Sequence, residues 1–117
     1  MNITIFQVDA FTKTPFKGNP AAVCIRDESL EDDVMQSIAS EMNLAETAFV
    51  TPENDGEWGL RWFTPLAEVD LCGHATLASA FALFETGRVA RGEIIRFQTK
   101  SGELTVGQTG SSGLEMN

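Results

Sequence analysis

The fold is decided by residues 73–87, which read GHATLASAFALFETG. In a helix, the alanine, leucine and phenylalanine side chains of this stretch cover most of the circumference, with threonine and serine interspersed. A helix that is apolar on nearly all sides has to be enclosed by other parts of the protein. Gly87 is suited to cap its C-terminal end. We therefore predict a buried helix over residues 73–87, with the remaining chain wrapped around it.

Outward from this helix, the sequence predicts a sheet. Alternating apolar and polar residues between turn signals indicate six or seven strands, at residues 2–11, 21–25, 46–50, 58–63, 94–99, 104–107 and 114–117. Polar turns at residues 51–56 and 100–102 predict hairpins. Residues 107–113 are rich in glycine, but they lack the strand-to-helix context of a phosphate loop, so we interpret them as a hairpin turn.

One further helix is predicted, with a single apolar face. Ser29 precedes an apolar stripe that ends near Asn43, formed by Leu30, Val34, Met35, Ile38, Ala39 and Met42. The elements do not alternate regularly as strand, helix and strand, which argues against a Rossmann sheet. The predicted fold class is α+β: a curved, mostly antiparallel or mixed sheet wrapped around a central buried helix.

Length and charge restrict the class of protein. The 117 residues suffice for one domain, and 43% of them are hydrophobic, as in globular proteins. The net charge of -9 opposes binding to nucleic acid or to an anionic membrane. We found neither an apolar run of membrane-spanning length nor a signal-peptide pattern, and two cysteines fit a reducing compartment. We expect a cytoplasmic protein whose partners are neither nucleic acid nor membrane.

A candidate site lies at the start of the buried helix, where Cys72, Gly73, His74 and Ala75 follow one another. The first turn of a helix has unpaired N–H groups, which can bind a carboxylate, and Gly73 permits close approach to the backbone. The helix dipole is expected to lower the pKa of the Cys72 thiol and to favour a neutral His74. The alternative is purely structural, with a cysteine that packs and a histidine that caps.

Glu46 is an acidic residue in an otherwise apolar strand, within NLAETAFV at residues 43–50. It is either a solvated edge residue or an acid/base, since apolar surroundings raise the pKa of a carboxyl group toward neutrality. Cys72 and His74, even with Asp70 and Glu68, do not have the paired spacing of a zinc site. We therefore predict no metal site.

Five short motifs occur in an order that is typical of one family. They are Val8-Asp9-Ala10-Phe11, Gly18-Asn19-Pro20, Asn43-Leu44-Ala45-Glu46-Thr47-Ala48-Phe49, Arg61-Trp62-Phe63-Thr64-Pro65 and Asp70-Leu71-Cys72-Gly73-His74-Ala75-Thr76. Together they resemble the PhzF-like family, which includes the phenazine-biosynthesis isomerase. The resemblance implies a diaminopimelate-epimerase-like fold, in which two lobes each wrap a sheet around a central helix and the substrate lies between them. Residues 1–117 would form the N-terminal lobe alone.

The resemblance also implies roles for individual residues. Glu46 matches the general acid/base of the family, and His74 matches a histidine near the substrate carboxylate. With Gly73 and Ala75, Asn19 is expected among the substrate-binding residues. Cys72 occupies the place of a catalytic cysteine in related epimerases and proline racemases, whereas the phenazine enzyme does not depend on one.

The expected function is a cofactor-independent isomerase or epimerase that moves a proton on carbon of a small carboxylate-bearing metabolite. A second lobe, or a second copy of the chain, would complete the site. Two alternatives remain: an inactive single lobe that serves binding or assembly, since half a cleft leaves its substrate open to water, and a cysteine-type racemase that uses Cys72. A nucleophile-base pair of Cys72 and His74 is disfavoured, because residues two apart at a helix start seldom face each other.

Overall fold

The computed structural model describes residues 3–8, 21–70, 72–109 and 113–116, the last four and residues 108–109 as backbone only. The elements in chain order are β1 (Ile5–Val8), β2 (Ala21–Ile25), α1 (Asp32–Met42), β3 (Glu46–Pro52), a 3-10 turn (Asn54–Gly56), β4 (Trp58–Phe63), β5 (Glu68–Val69), α2 (Gly73–Glu85), β6 (Ile95–Thr99), β7 (Gly102–Thr109) and β8 (Gly113–Met116). None of the helices in this part of the chain is long and apolar enough to cross a membrane.

All eight strands belong to one mixed sheet with the order β1-β2-β3-β4-β6-β7-β8, and β5 also pairs with β4. The pairs β2–β3 and β4–β6 are parallel, and the others are antiparallel. Two strands pair with the same edge of β4. Trp58 and Gly59 pair with β6, and Trp62 and Phe63 pair with β5. The predicted α+β class with a mixed sheet is confirmed.

Helix α2 lies inside the curve of this sheet. It contacts β1, β2, β3 and β8, which come from both ends of the strand order, so the sheet bends around the helix. The buried side chains of α2 are mostly small, which lets the strands approach closely; they are Ala75, Thr76, Ala78, Ser79, Ala80, Ala82, Leu83 and Phe84. The prediction of an enclosed helix is confirmed.

The C-terminal end of α2 is closed by Gly87, as the sequence predicted, although the helix itself ends earlier, at Glu85. Gly87 has a φ of 74°, a left-handed conformation that glycine adopts without strain. Its N–H donates to the Phe84 carbonyl at 3.1 Å, and the Arg88 N–H donates to the Leu83 carbonyl at 3.0 Å. These two bonds form a Schellman motif, which satisfies carbonyls at the helix end.

Helix α1 packs on the other face of the sheet, against β3 and β4. It buries Met35 and Ala39 against Phe49. The predicted start at Ser29 is wrong: the helix begins at Asp32, and the capping position is held by Glu31 without a side-chain hydrogen bond. The helix ends at Met42 with Asn43 as its C-cap, which agrees with the predicted end near Asn43.

Several strands differ in length from the prediction. β7 begins at Gly102 rather than at residue 104, and β8 covers residues 113–116. β5 was not predicted, because a two-residue strand is too short to show alternation. β1 is described over residues 5–8, while residues 2 and 9–11 of the predicted first strand lie outside the described part.

The enclosure of α2 predicts a large difference between two leucine truncations. Leu83 is fully buried in α2 and Leu66 is 91% exposed in a loop. Leu83→Ala should lower the free energy of unfolding by about 2–5 kcal/mol, because it leaves a cavity in a packed core. Leu66→Ala should change it by less than about 0.5 kcal/mol. Urea unfolding of the two variants and the parent chain measures both values, and a similar small loss in both would contradict the enclosure of α2.

Candidate active site

Glu46 is the first residue of β3, and it lies on the face of the sheet that is turned toward α2. Ala48 and Val50 of the same strand pack in the α2 cluster, whereas Phe49 packs in the α1 cluster. Since residues two apart in a strand share a face, Glu46 belongs to the α2 side. Its side chain is half-buried. Glu46 therefore lies at the inner rim of the curved sheet rather than on its outer surface.

Cys72 holds the N-cap position of α2 and lies against Glu46. The Cys72 thiol is within hydrogen-bonding reach of the Glu46 carboxylate, and the backbone N–H groups of His74 and Ala75 also approach the sulfur. Gly73, which follows Cys72 and precedes His74, is the first residue of the helix. The structure thus brings together a carboxylate, a thiol and the backbone N–H groups of a helix N-terminus. The residues come from two elements that are 26 positions apart in sequence, Glu46 and Cys72.

The pKa of the Cys72 thiol is raised, which corrects the prediction that the helix dipole would lower it. Burial is the main cause, because it penalises the charged thiolate. The Glu46 carboxylate raises the pKa further, while the N–H groups of Ala75 and His74 lower it only in part. At neutral pH, Cys72 is therefore a protonated thiol that can donate a hydrogen bond to Glu46.

His74, the second residue of α2, has a side chain that is exposed at the helix start. Asn19 lies outside the described residues. The described chain resumes at Ala21, which is the register partner of Glu46 at the beginning of the parallel β2–β3 pair. Within the described ranges, no group of three or more histidine, cysteine, aspartate or glutamate side chains could hold a metal ion.

A buried chain of hydrogen bonds joins the first turn of α2 to β4. The Trp62 indole N–H donates to the Thr76 Oγ1 at 3.1 Å, and that hydroxyl donates to the Cys72 carbonyl at 2.7 Å. Trp62 is 1% exposed and Thr76 is fully buried. Buried polar groups are costly when unpaired, so this satisfied chain fixes the position of the helix start on the sheet.

On the other face of β4, the neighbouring residue Arg61 is the centre of an ion cluster. Its Nε and Nη2 donate to the two oxygens of Glu68, both at 2.8 Å, and its Nη1 donates to Asp32 Oδ1 at 2.8 Å. Lys100 Nζ lies 2.7 Å from Glu68 Oε1. The hydrogen bonds from Arg61 are the main cause that lowers the pKa of Glu68 to about 2.

Sequence reasoning named none of Arg61, Trp62 and Thr76 as residues that support the site. A signal was present, because Arg61 and Trp62 open one of the family motifs and Thr76 closes another. Their partners are distant in sequence, however: Arg61 and Asp32 are 29 residues apart. Such pairs can be recognised only once the topology is known.

A separate cavity of about 310 Å³ lies on the α1 face of the sheet, lined by residues that include Phe49, Thr51 and Gly59. A Cβ atom at Gly59 would come within 2.6 Å of Glu53 Oε1, so a larger residue there would require the Glu53 side chain to move. Arg61 and Lys100 also line this cavity, but both are ion-paired with Glu68. The cavity does not include Glu46, and the chemical groups named above converge instead at the start of α2.

Comparison with known proteins defines the class. The sequence matches the family model of phenazine biosynthesis-like proteins over residues 8–116. The chain therefore belongs to this family, and the resemblance seen in its five motifs is confirmed. A Pseudomonas aeruginosa protein described as an uncharacterized isomerase is 57% identical over 112 residues, which make up 96% of this chain and 42% of that protein.

Solved structures agree with this assignment. The crystal structure of a PhzF-family phenazine biosynthesis protein from Enterococcus faecalis has a TM-score of 0.86 and 50% identity, covering 93% of this chain and 41% of that one. A Pseudomonas aeruginosa structure described as a predicted epimerase has a TM-score of 0.79 and 27% identity, covering 97% and 41%. The fold is thus of the PhzF and epimerase type, and the chain spans about two fifths of the length of these relatives.

The ion cluster predicts a pH-dependent contribution of Glu68 to stability. The pKa of Glu68 is lowered from 4.5 to about 2 in the folded protein, so its stabilisation is present above pH 4.5 and is lost as the pH falls toward 2. Glu68→Gln should lower the free energy of unfolding by about 1 kcal/mol at pH 7, allowing for solvent screening of a partly exposed pair.

The matched control is Glu85→Gln, which removes the exposed ion pair with Arg91, also 2.8 Å long. Its effect at pH 7 should be less than about 0.5 kcal/mol. Urea unfolding at several pH values between 7 and 2.5 measures these differences. A Glu68→Gln effect that grows as the pH falls would contradict a lowered pKa of Glu68 in the folded protein.

Proposed function

We propose that the chain is the N-terminal lobe of a two-lobed cytoplasmic isomerase that moves a proton on carbon of a small carboxylate-bearing metabolite without a cofactor. The observation that carries this proposal is the half-buried Glu46 carboxylate beside Cys72 and the first-turn amides of the α2 N-terminus. Relatives described as an isomerase and as an epimerase support the reaction class. Both cysteines are free thiols, as in a reducing compartment.

In the proposed reaction, Glu46 acts as the general acid/base. Its carboxylate takes a proton from a carbon of the substrate, and the electron pair of the broken C–H bond is delocalised into the conjugated carboxylate. The protonated Glu46 then returns this proton to a second carbon, which restores the carboxylate and completes the isomerisation. A single base on one face of the substrate suffices for this shift, whereas inversion at one carbon needs a second acid/base on the opposite face.

The first turn of α2 would hold the substrate. The N–H groups of Gly73, His74 and Ala75 lie at a helix N-terminus, where backbone donors and the dipole favour a negative charge. A substrate carboxylate bound there gains negative charge during proton abstraction, and these donors stabilise it. The exposed His74 side chain would contact the ligand from the same end.

A second lobe would close the site over the substrate. The chain covers 42% of one relative and 41% of a solved structure, which leaves room in those proteins for a further domain. Closure matters chemically, because hydrogen bonds and charges act more strongly once water is excluded. A second copy of this chain is the other possible cover, and an inactive lobe for binding or assembly is the alternative function.

Cys72 offers a second candidate mechanism, a cysteine-type racemase, since its thiol contacts Glu46 and the first-turn amides. The raised pKa of Cys72 argues against it, because a thiolate base would have to form in a half-buried position and next to a carboxylate. We therefore assign proton transfer to Glu46.

The test compares three variants in a polypeptide that carries this lobe together with a second lobe. Glu46→Gln keeps the shape of the side chain but removes its titratable group, so turnover should fall by roughly 100-fold or more. Cys72→Ala should have a mild effect, and Glu41→Gln, an exposed residue of α1, should have none. Substrate turnover and deuterium incorporation from D2O are the readouts. If Cys72→Ala abolished incorporation while Glu46→Gln preserved it, the site would be that of a cysteine-type racemase.

A further inference from the structure

Ahead of Cys72, the described residues 68–70 have little backbone pairing of their own. β5 pairs with β4 through Trp62 with Val69 and Phe63 with Glu68. Strands in globular proteins are usually longer than two residues, so this pairing alone holds the chain weakly. Side chains from other elements supply further contacts on the outer side of the sheet.

Three side chains hold this segment. Arg61 of β4 donates two hydrogen bonds to Glu68, and Lys100 from the β6–β7 turn donates a third. Ser101 of the same turn donates from its Oγ to the Asp70 carbonyl at 2.6 Å. The Glu68 side chain is only 18% exposed and that of Arg61 is 30% exposed, so these bonds are partly shielded from solvent.

Side chains on both faces of β4 therefore hold the chain before and after Cys72. Arg61 binds Glu68 on the α1 side, and the adjacent Trp62 binds Thr76 on the α2 side. Between these two attachment points, the chain passes through Cys72. Glu46 is placed independently, because β3 is fixed by its pairing with β2 and β4.

We propose that Arg61, assisted by Lys100 and Ser101, is a positioning residue: by holding Glu68 and the Asp70 carbonyl, it keeps Cys72 and the first-turn amides of α2 against the Glu46 carboxylate. The significance of this role for catalysis rests on the proposed function. The contact between Cys72 and the Glu46 carboxylate can be tested on the 117-residue chain without any turnover. A failure of the positioning role can therefore be distinguished from a failure of the proposed function.

The experiment uses the contact between Glu46 and Cys72 as the reporter. The chain is treated with iodoacetamide over a range of pH, and peptide mass spectrometry follows the alkylation of Cys72 and Cys24 separately. Because the Glu46 carboxylate raises the pKa of Cys72, Glu46→Gln should speed alkylation of Cys72 near neutral pH. The Cys72 alkylation rate in Glu46→Gln, divided by the rate in the chain that keeps Glu46, is a ratio above one that measures how closely the carboxylate and the thiol are held.

In an Arg61→Gln background, this ratio should fall to about one, because a displaced thiol no longer senses Glu46. Arg61→Lys, which restores the charge but not the two parallel bonds, should give an intermediate ratio. Arg91→Gln removes an exposed ion pair of equal length, 2.8 Å, and should leave the ratio unchanged. A ratio that is the same in Arg61→Gln as in the parent chain would overturn the proposal.

Cys24 is the internal control for unfolding. It is 1% exposed between the sheet and α1, so its alkylation rate should stay constant if only the segment before α2 has moved. If Arg61→Gln also exposes Cys24, Ser101→Ala decides the question, since Ser101 is an exposed residue whose hydroxyl holds the Asp70 carbonyl. A reduced ratio in Ser101→Ala supports the proposal, and an unchanged ratio overturns it.

Discussion

The enclosure of α2 is the constraint on which the rest of the structure depends. A helix that is apolar on nearly all sides cannot remain in water, and its many alanines let strands approach from several directions. The sheet bends until strands from both ends of its order contact the helix. This curvature brings the start of β3 to the same end of the domain as the start of α2. The candidate site is therefore a consequence of how the core is covered.

The hydrophobic core places the first turn of α2 only approximately, and polar interactions determine its position more closely. The hydrogen bonds through Trp62 and Thr76 fix the first turn of α2 from within, and the ion cluster around Arg61 holds the preceding segment from outside. The environment of Cys72 shows which effect dominates at this site. Helix amides favour the thiolate, but burial and the nearby Glu46 carboxylate outweigh them. The result is a carboxylate accompanied by a neutral hydrogen-bond donor, which suits chemistry based on Glu46.

Short stretches of sequence predicted those parts of the fold that depend only on neighbouring residues. The apolar circumference of residues 73–87 and the left-handed Gly87 are readable from the sequence, and both are confirmed. The start of α1 was misplaced because Ser29 is a good capping residue by type, whereas the helix begins at Asp32 after Glu31, which makes no side-chain capping bond. β5 is too short for any periodic pattern.

The sequence identified candidate residues for the site, but not the surroundings of these residues in the fold. Glu46, Cys72, Gly73, His74 and Ala75 were all named, and the structure gathers them at one end of α2. The pKa direction of Cys72 was wrong, because the helix dipole is a local property while burial and Glu46 act through the tertiary structure. The Arg61 cluster was missed for the same reason, since it joins residues about 30 positions apart.

The most direct measurement of whether this end of α2 is the binding site is a titration of the ¹⁵N-labelled chain with benzoate, a small conjugated carboxylate, followed by NMR. Benzyl alcohol, which is similar in size but uncharged, is the control. Saturable shifts in the amide signals of Gly73, His74 and Ala75 with benzoate alone are the predicted result. Shifts centred on Thr51 and Gly59, in the cavity on the α1 face, would place carboxylate binding elsewhere and contradict the assignment of the site.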